Sequence, residues 1–390
     1  MYDPHTHPIL VLQNLINSFD FHYFFDNFYN LSAKIKNLDY LFILNSPLED
    51  KNEFKKKYKT LISFVNSLDI PIIFKSKNYH RFFINNYLKR KINLKTNFLN
   101  ERYFSLIDKM YIKLIKKDYK KYYKILESYF DGILKTVDAF TTLEFLEFYT
   151  LINKKIKNKK LEIYYLLDPN IIFKVNLKKL KLILSSRYFL GFKFFVDGTL
   201  ANKDAMFYDS SLNFNSKLYL NMSFYRKFLR KLYYILRYIK INKISFAFHC
   251  VGDKAVDFTL ANLINDYIVK ISKMVKIKFR IEHALFINNR TLKLLINNLE
   301  MYKDIDFYFV FNPNFFFIDI DFLKNIKNEE LVSSYFIFRL KEVFEIFRNY
   351  NNFYISFASD CPVSPCKYEF SIFLLKNYLI YKKILICNCL

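Results

Sequence analysis

The sequence is poor in the residues that punctuate chains: no tryptophan, 4 glycines and 8 prolines in 390 residues. The shortage accompanies 46 phenylalanines and 32 tyrosines. Lys, Asn, Ile, Phe and Tyr share A/T-rich codons, so a base-biased gene inflates them together. Cysteine numbers only 5, and neither Cys361 and Cys366 nor Cys387 and Cys389 have the spacing of a zinc knuckle or redox pair. No disulfide framework is implied. The opening, Met-Tyr-Asp-Pro-His-Thr-His-Pro, lacks a basic segment followed by an apolar one, so no signal peptide is expected. Long apolar runs are missing as well. The stretch 307–317 is interrupted by Asn312, Pro313 and Asn314, short of the roughly 20 residues that cross a bilayer. The expectation is a cytoplasmic protein with no membrane partner.

What is present argues for a folded chain, since 52% hydrophobic residues exceed the apolar poverty of disordered sequences. At this length it holds one large domain or two ordinary ones. The net charge of +25 is weak support for nucleic-acid binding, because lysine is scattered along the chain instead of forming one stripe. No nucleic-acid partner is expected.

Short β-rich runs alternate with longer amphipathic segments, the pattern of a parallel α/β protein. Strands are expected at 133–139, 161–167, 192–196, 244–249, 279–283, 306–311 and 353–359. Helices are expected at 143–155, 224–239, 255–271, 291–299 and 331–350, and a Lys/Tyr-rich one at 109–124. An early segment with strands of its own at 40–44 and 71–74 breaks this rhythm and reads as an inserted subdomain at about 31–100. The rest reads as one domain spanning the chain.

Histidine is rare, 6 in all, yet it sits at telling places. His5 and His7 flank one residue near the start, and two such side chains at a strand end point to one side. His249 and His283 each close an expected strand, and Asp360 closes another. Lys193 lies among phenylalanines within a strand, where an ammonium is costly to bury without a partner. In a (β/α)8 barrel the C-terminal strand ends converge on one mouth, so these distant residues can meet there. Imidazoles and carboxylates are ligand types for zinc or a similar divalent ion.

In order along the chain, five motifs resemble those of the amidohydrolase superfamily, specifically amidohydrolase family 3, which includes N-substituted formamide deformylase. They are Asp3-Pro4-His5-Thr6-His7, the segment from Phe192 through Lys193 to Asp197-Gly198-Thr199-Leu200, Phe248-His249-Cys250-Val251-Gly252-Asp253 continuing to Asp257, Arg280-Ile281-Glu282-His283-Ala284, and Ser359-Asp360-Cys361-Pro362-Val363. A weaker match, Asn78-Tyr79-His80 through Asn86, lacks the family's glycine. The resemblance implies a TIM-like (β/α)8 metallo-hydrolase barrel with an insertion after strand one. It implies one or two zinc ions, His5, His7 and Asp360 holding one and His249 and His283 the other. A carbon dioxide-derived carbamate on Lys193 would bridge them. A bridged water, its pKa lowered to about 7, would attack a small-molecule amide or formamide at its C–N bond. Asp360 would carry the proton to the leaving nitrogen, and His80 would polarise the carbonyl. Family members start with part of a β-sandwich and a full first strand, whereas His5 stands almost first here. The N-terminal strand and sandwich are therefore expected to be missing, with open backbone edges beside the gap, and 367–390 is expected to form a last helix. Two other readings stay open: an inactive, truncated relic with its ligand set intact, and a basic binding module. A homo-oligomer is compatible with each.

Overall fold

The structure is a computed structural model. It describes residues 2–360 except 16–17, 37, 39, 49, 77–80, 101–108, 110, 113–114, 201–202, 210–216, 316–318, 320–322 and 325. His80 and the helix expected at 367–390 lie outside the described residues. The strands in chain order begin with β1 (Tyr2–Thr6), β2 (Ser18–Asp20), β3 (Leu41–Ser46), β4 (Ile72–Ser76), β5 (Arg81–Ile84) and β6 (Phe98–Asn100). There follow β7 (Lys135–Thr141), β8 (Glu162–Leu167), β9 (Phe189–Phe195), β10 (Lys243–Cys250), β11 (Lys276–His283), β12 (Ile305–Phe311) and β13 (Phe353–Phe357).

Eight of these form one sheet in the order β1-β7-β8-β9-β10-β11-β12-β13. Every neighbouring pair in that order is parallel. The sheet curls until its edges meet: the Asp360 N–H donates to the His5 carbonyl at 2.9 Å. Beside it the Asp3 carboxylate accepts from the Ser359 hydroxyl at 2.5 Å and the Ser359 N–H at 3.3 Å. This is the TIM-like (β/α)8 arrangement expected from the sequence. The expected gap at strand one is overturned, because β1 exists and pairs with β7 through Tyr2↔Lys135, Asp3↔Thr136 and Thr6↔Asp138. The register shifts between Asp3 and Thr6, where Pro4 has no N–H to give the ladder.

The period of two explains how the strands are covered. In β9, Phe192 and Phe194 pack edge-on against Phe228 of the helix Met222–Leu236, and Phe194 also meets Tyr225. The residue between them, Lys193, therefore projects from the opposite face. Asparagine, abundant in this sequence, starts many helices: Asn176, Asn221, Asn265, Asn288 and Asn328 each accept a first-turn N–H on the side chain. Two expected helices are each split in two. The region 255–271 becomes Asp253–Asn262 and Asp266–Ser272, because Asn265 takes the N–H groups of Tyr267 and Ile268 and begins a new helix. The region 331–350 becomes Glu329–Ser333 and Phe336–Asn349, because Tyr335 bridges to Phe286 and the Phe336 N–H donates to the Leu285 carbonyl at 2.7 Å.

The chain divides into two compact units, one holding the eight-stranded sheet and the other made of Pro8–Tyr129 with Glu144–Asn158. The second contains β2 to β6, with β2, β3 and β4 parallel and β5 and β6 antiparallel. Its core is aromatic, with Phe21, Phe24, Phe54 and Phe74 packed on Leu41, Ile43, Leu61 and Val65. Within it the buried Asn85 amide donates to the Val65 and Ile70 carbonyls, while its oxygen accepts from Leu88 and Ile72. Among the described residues no helix is long and apolar enough to cross a membrane.

The few glycines mark close approaches. A methyl group on Gly191 in β9 would sit 1.9 Å from the Ser245 carbonyl oxygen of β10, its register neighbour. Gly132, by contrast, has φ of 78° and open space around it. Gly191→Ala is expected to lower unfolding free energy by about 3 kcal/mol through overpacking. Gly132→Ala is expected to cost about 1 kcal/mol through its left-handed backbone alone. Urea unfolding of both variants measures the difference, and equal midpoints would contradict the close packing of β9 on β10.

Candidate metal centre

His5 lies in β1 and His7 just beyond it. His249 is the penultimate residue of β10, His283 the last of β11, and Asp360 follows β13. All belong to the unit that holds the eight-stranded sheet. Sequence reasoning placed these residues at strand ends, and the barrel brings those ends together. His5, His283 and Asp360 each offer a ligand atom, and the three atoms lie within 4.8 Å of one another. Asp360 Oδ1 stands 3.1 Å from His5 Nε2 and 3.2 Å from His7 Nε2. The His5 and His283 rings are 4.8 Å apart, centre to centre, and the His283 and His249 rings 4.5 Å. His249 turns Nε2 toward the Gly198 carbonyl at 3.2 Å. Because a carbonyl only accepts, Nε2 carries a hydrogen in that contact. His7, partly exposed, also has Nδ1 3.8 Å from Asp138 Oδ1.

Lys193 is buried, and its Nζ has no hydrogen-bond partner among the described residues. The nearest countercharge is Glu282 Oε2 at 3.9 Å. Glu282 is the residue that sequence reasoning missed. It was visible as the glutamate of Arg-Ile-Glu-His-Ala, and the two-residue strand period sets Arg280 and Glu282 on one face. Its Oε1 accepts from Arg280 Nε and Nη2, each at 2.8 Å, and its Oε2 accepts from His5 Nδ1. Asn312, just after β12, was missed too. Its Oδ1 accepts from His283 Nδ1 at 2.8 Å, while its Nδ2 reaches the Ala358 carbonyl at 3.4 Å.

The electrostatics follow from burial and pairing. Burial favours the neutral acid in Glu282, but Arg280, Lys193 and His5 outweigh it and hold the carboxyl well below the usual carboxylate range. Asp360 is held low in the same way by His5, His7 and His283. Burial, then the Lys193 charge, pushes His5 down, yet Asp360 and Glu282 leave it raised overall. His283 is depressed to about 3 by burial and then by His5, so it is neutral, the form that binds metals. Burial lowers the Lys193 amine against the pull of Glu282 and Asp360.

Backbone strain gathers here also. His283, Ala284 and Asp360 adopt φ of 74°, 45° and 57°, a left-handed region that ordinary residues rarely occupy. Such outliers persist where surrounding structure fixes a functional geometry. The donor set itself, imidazole nitrogens around a buried carboxylate oxygen, fits a divalent cation of the zinc type.

Two solved structures are similar to this chain in fold. An uncharacterized metal-dependent hydrolase from Pyrococcus furiosus superposes with a TM-score of 0.62 at 18% identity, over 95% of this chain and 75% of that one. An uncharacterized metal-dependent hydrolase from Pyrococcus horikoshii OT3 superposes with a TM-score of 0.64 at 18% identity, over 93% of this chain and 71% of that one. The chain shares their fold. No protein-family profile matches it, and no curated protein does.

Asp197 lies two residues beyond β9, on the same side as this mouth. It accepts the N–H groups of Val251 at 2.9 Å, Gly252 at 2.9 Å and Met206 at 3.0 Å, fastening the segment that follows His249 and β10 to the one that follows β9. Burial pushes its pKa up to about 7, against those three donors. Asp197→Asn puts an amide NH2 where a second accepting oxygen stood. The expected cost is about 2 kcal/mol for the N–H left unsatisfied, measured by denaturant unfolding of metal-free protein. An unchanged midpoint would show that the Asp197 cradle is dispensable.

Proposed function

We propose that the chain is a metal-dependent hydrolase acting on an amide or formamide C–N bond, with one or two zinc ions held by His5, His7, Lys193, His249, His283 and Asp360. The observation that carries this reading is the meeting of ligand atoms of His5, His283 and Asp360 within 4.8 Å of one another at the barrel mouth, with His7 on Asp360 and His249 against His283. The fold shared with metal-dependent hydrolases supports it, and the five motifs quoted above support the C–N bond as target. A divalent ion supplies Lewis acidity there and lowers the pKa of nearby water to about 7.

The chain's own residues do the remainder. Asp360 accepts the proton of the attacking water and returns it to the leaving nitrogen, which cannot depart as an amide anion. The imidazoles of His5 and His7 beside it keep that carboxylate ionised. Lys193, buried and without a hydrogen-bond partner among the described residues, suits a modified state. Its neutral amine adds carbon dioxide to form an N-carboxylate and releases one proton, which replaces a buried cation by a ligand.

Two outcomes test this. Purified protein reconstituted with zinc and bicarbonate is expected to hold up to two ions per chain by elemental analysis, and its intact mass under non-acidic conditions to include the carbon dioxide adduct. Metal-free protein after that treatment would remove the reading. Asp360→Asn is expected to retain much of the zinc through its amide oxygen while turnover of an amide or formamide substrate falls about 100-fold or more. Near-normal turnover would take the proton-shuttle role from Asp360.

A further inference from the structure

Glu282 is fully buried, with Arg280 on Oε1 and both His5 and Lys193 facing Oε2. A carboxylate accepts and never donates when ionised, so the His5 nitrogen that meets it, Nδ1, is the one that carries hydrogen. Asp360 Oδ1 lies 3.1 Å from Nε2 but makes no hydrogen bond among the described residues, so in neutral His5 the hydrogen belongs on Nδ1 and the Nε2 lone pair faces Asp360. We infer that Glu282 is a positioning residue that sets the tautomer and orientation of His5, and that Arg280 holds Glu282 to this task. The zinc-binding consequence rests on the metal reading above, whereas the tautomer itself does not. A carboxylate behind a ligating histidine raises the basicity of the ring and fixes its direction, and loss of such a partner weakens metal affinity.

Replacement by glutamine makes the inference testable, because shape is kept and only one accepting oxygen remains. Arg280 brings two N–H groups to Oε1, at 2.8 Å each, and so claims that oxygen. The new NH2 then faces His5 Nδ1, which must become the acceptor, so the proton moves to Nε2 where the ion should bind. Histidine-selective 15N spectra of metal-free protein, recorded at pH about 9 to keep the ring neutral, distinguish the tautomers. The His5 signals are assigned by their loss in His5→Gln. The parent is expected to show the Nδ1–H form and Glu282→Gln the Nε2–H form, with zinc dissociation constants from chelator competition raised about 10- to 100-fold. Adding Arg280→Met to Glu282→Gln frees the glutamine oxygen to turn to His5. The double variant is expected to regain the Nδ1–H form and most of the lost affinity, a rescue that a merely structural role would not produce. Nδ1–H signals with parental zinc affinity in Glu282→Gln would overturn the inference. Should that single variant fail to fold, Nε2–H signals in the double variant would overturn it equally. A parent with the Nδ1–H tautomer but no affinity for zinc would refute the metal reading and leave the tautomer assignment standing.

Discussion

Buried charge has to be matched, and the mouth of this barrel is organised by that requirement. Arg280 supplies fixed positive charge and Lys193 a charge that burial weakens, Glu282 and Asp360 are negative, His5 stands between those two carboxylates, and His7 lies against Asp360. Removing one partner of such a set leaves its neighbour uncompensated, at about 3–5 kcal/mol, more than most single packing changes. The same balance sets what a divalent cation would meet. Two positive charges entering a nearly neutral cluster favour proton loss from His5 and loss of the ammonium on Lys193. Metal affinity and protonation are thus linked through the same few groups.

Much of this was legible from residue order alone. Seven of the barrel strands announced themselves as β-branched and aromatic runs between helical stretches, and each has a counterpart in β7 to β13. His249, His283 and Asp360 were legible because they closed those runs, and the barrel geometry does the rest. β1 was not, since Tyr-Asp-Pro-His-Thr has neither an apolar run nor a clean alternation. Its strand character comes from partners at Lys135 and Thr136 and from the backbone bond to Asp360. Glu282 was hidden for a related reason. Its face on β11 follows from the period of two, but the side chain it meets, His5, lies 277 residues away and leaves no local trace. Helix breaks at Asn265 and Tyr335 escaped because hydrophobic periodicity continues through them, while capping and a tertiary bridge decide the outcome.

Compositional bias has left its mark without erasing the structure's needs. Phenylalanine fills outer strand positions such as Phe192 and Phe194, where many apolar residues would serve. Asparagine takes over the capping tasks that serine, threonine and aspartate share elsewhere. Three of the four glycines sit where a side chain would collide, as Gly191 does against the Ser245 carbonyl.

The seam between β1 and the residues after β13 also has a consequence in time. Asp3 and Ser359, which close it, are separated by 356 positions. During synthesis the first strand leaves the ribosome long before its second neighbour exists, and chains emerge at about 5–20 residues per second. For that interval His5 and His7 sit on a strand with one side unclaimed, and no complete ligand set is there to capture an ion. Contacts of such long range are slow to form, because the loop must close before they contribute anything. The candidate centre is therefore among the last parts of the molecule to be assembled, so that any ion taken up there would follow folding of the barrel instead of guiding it.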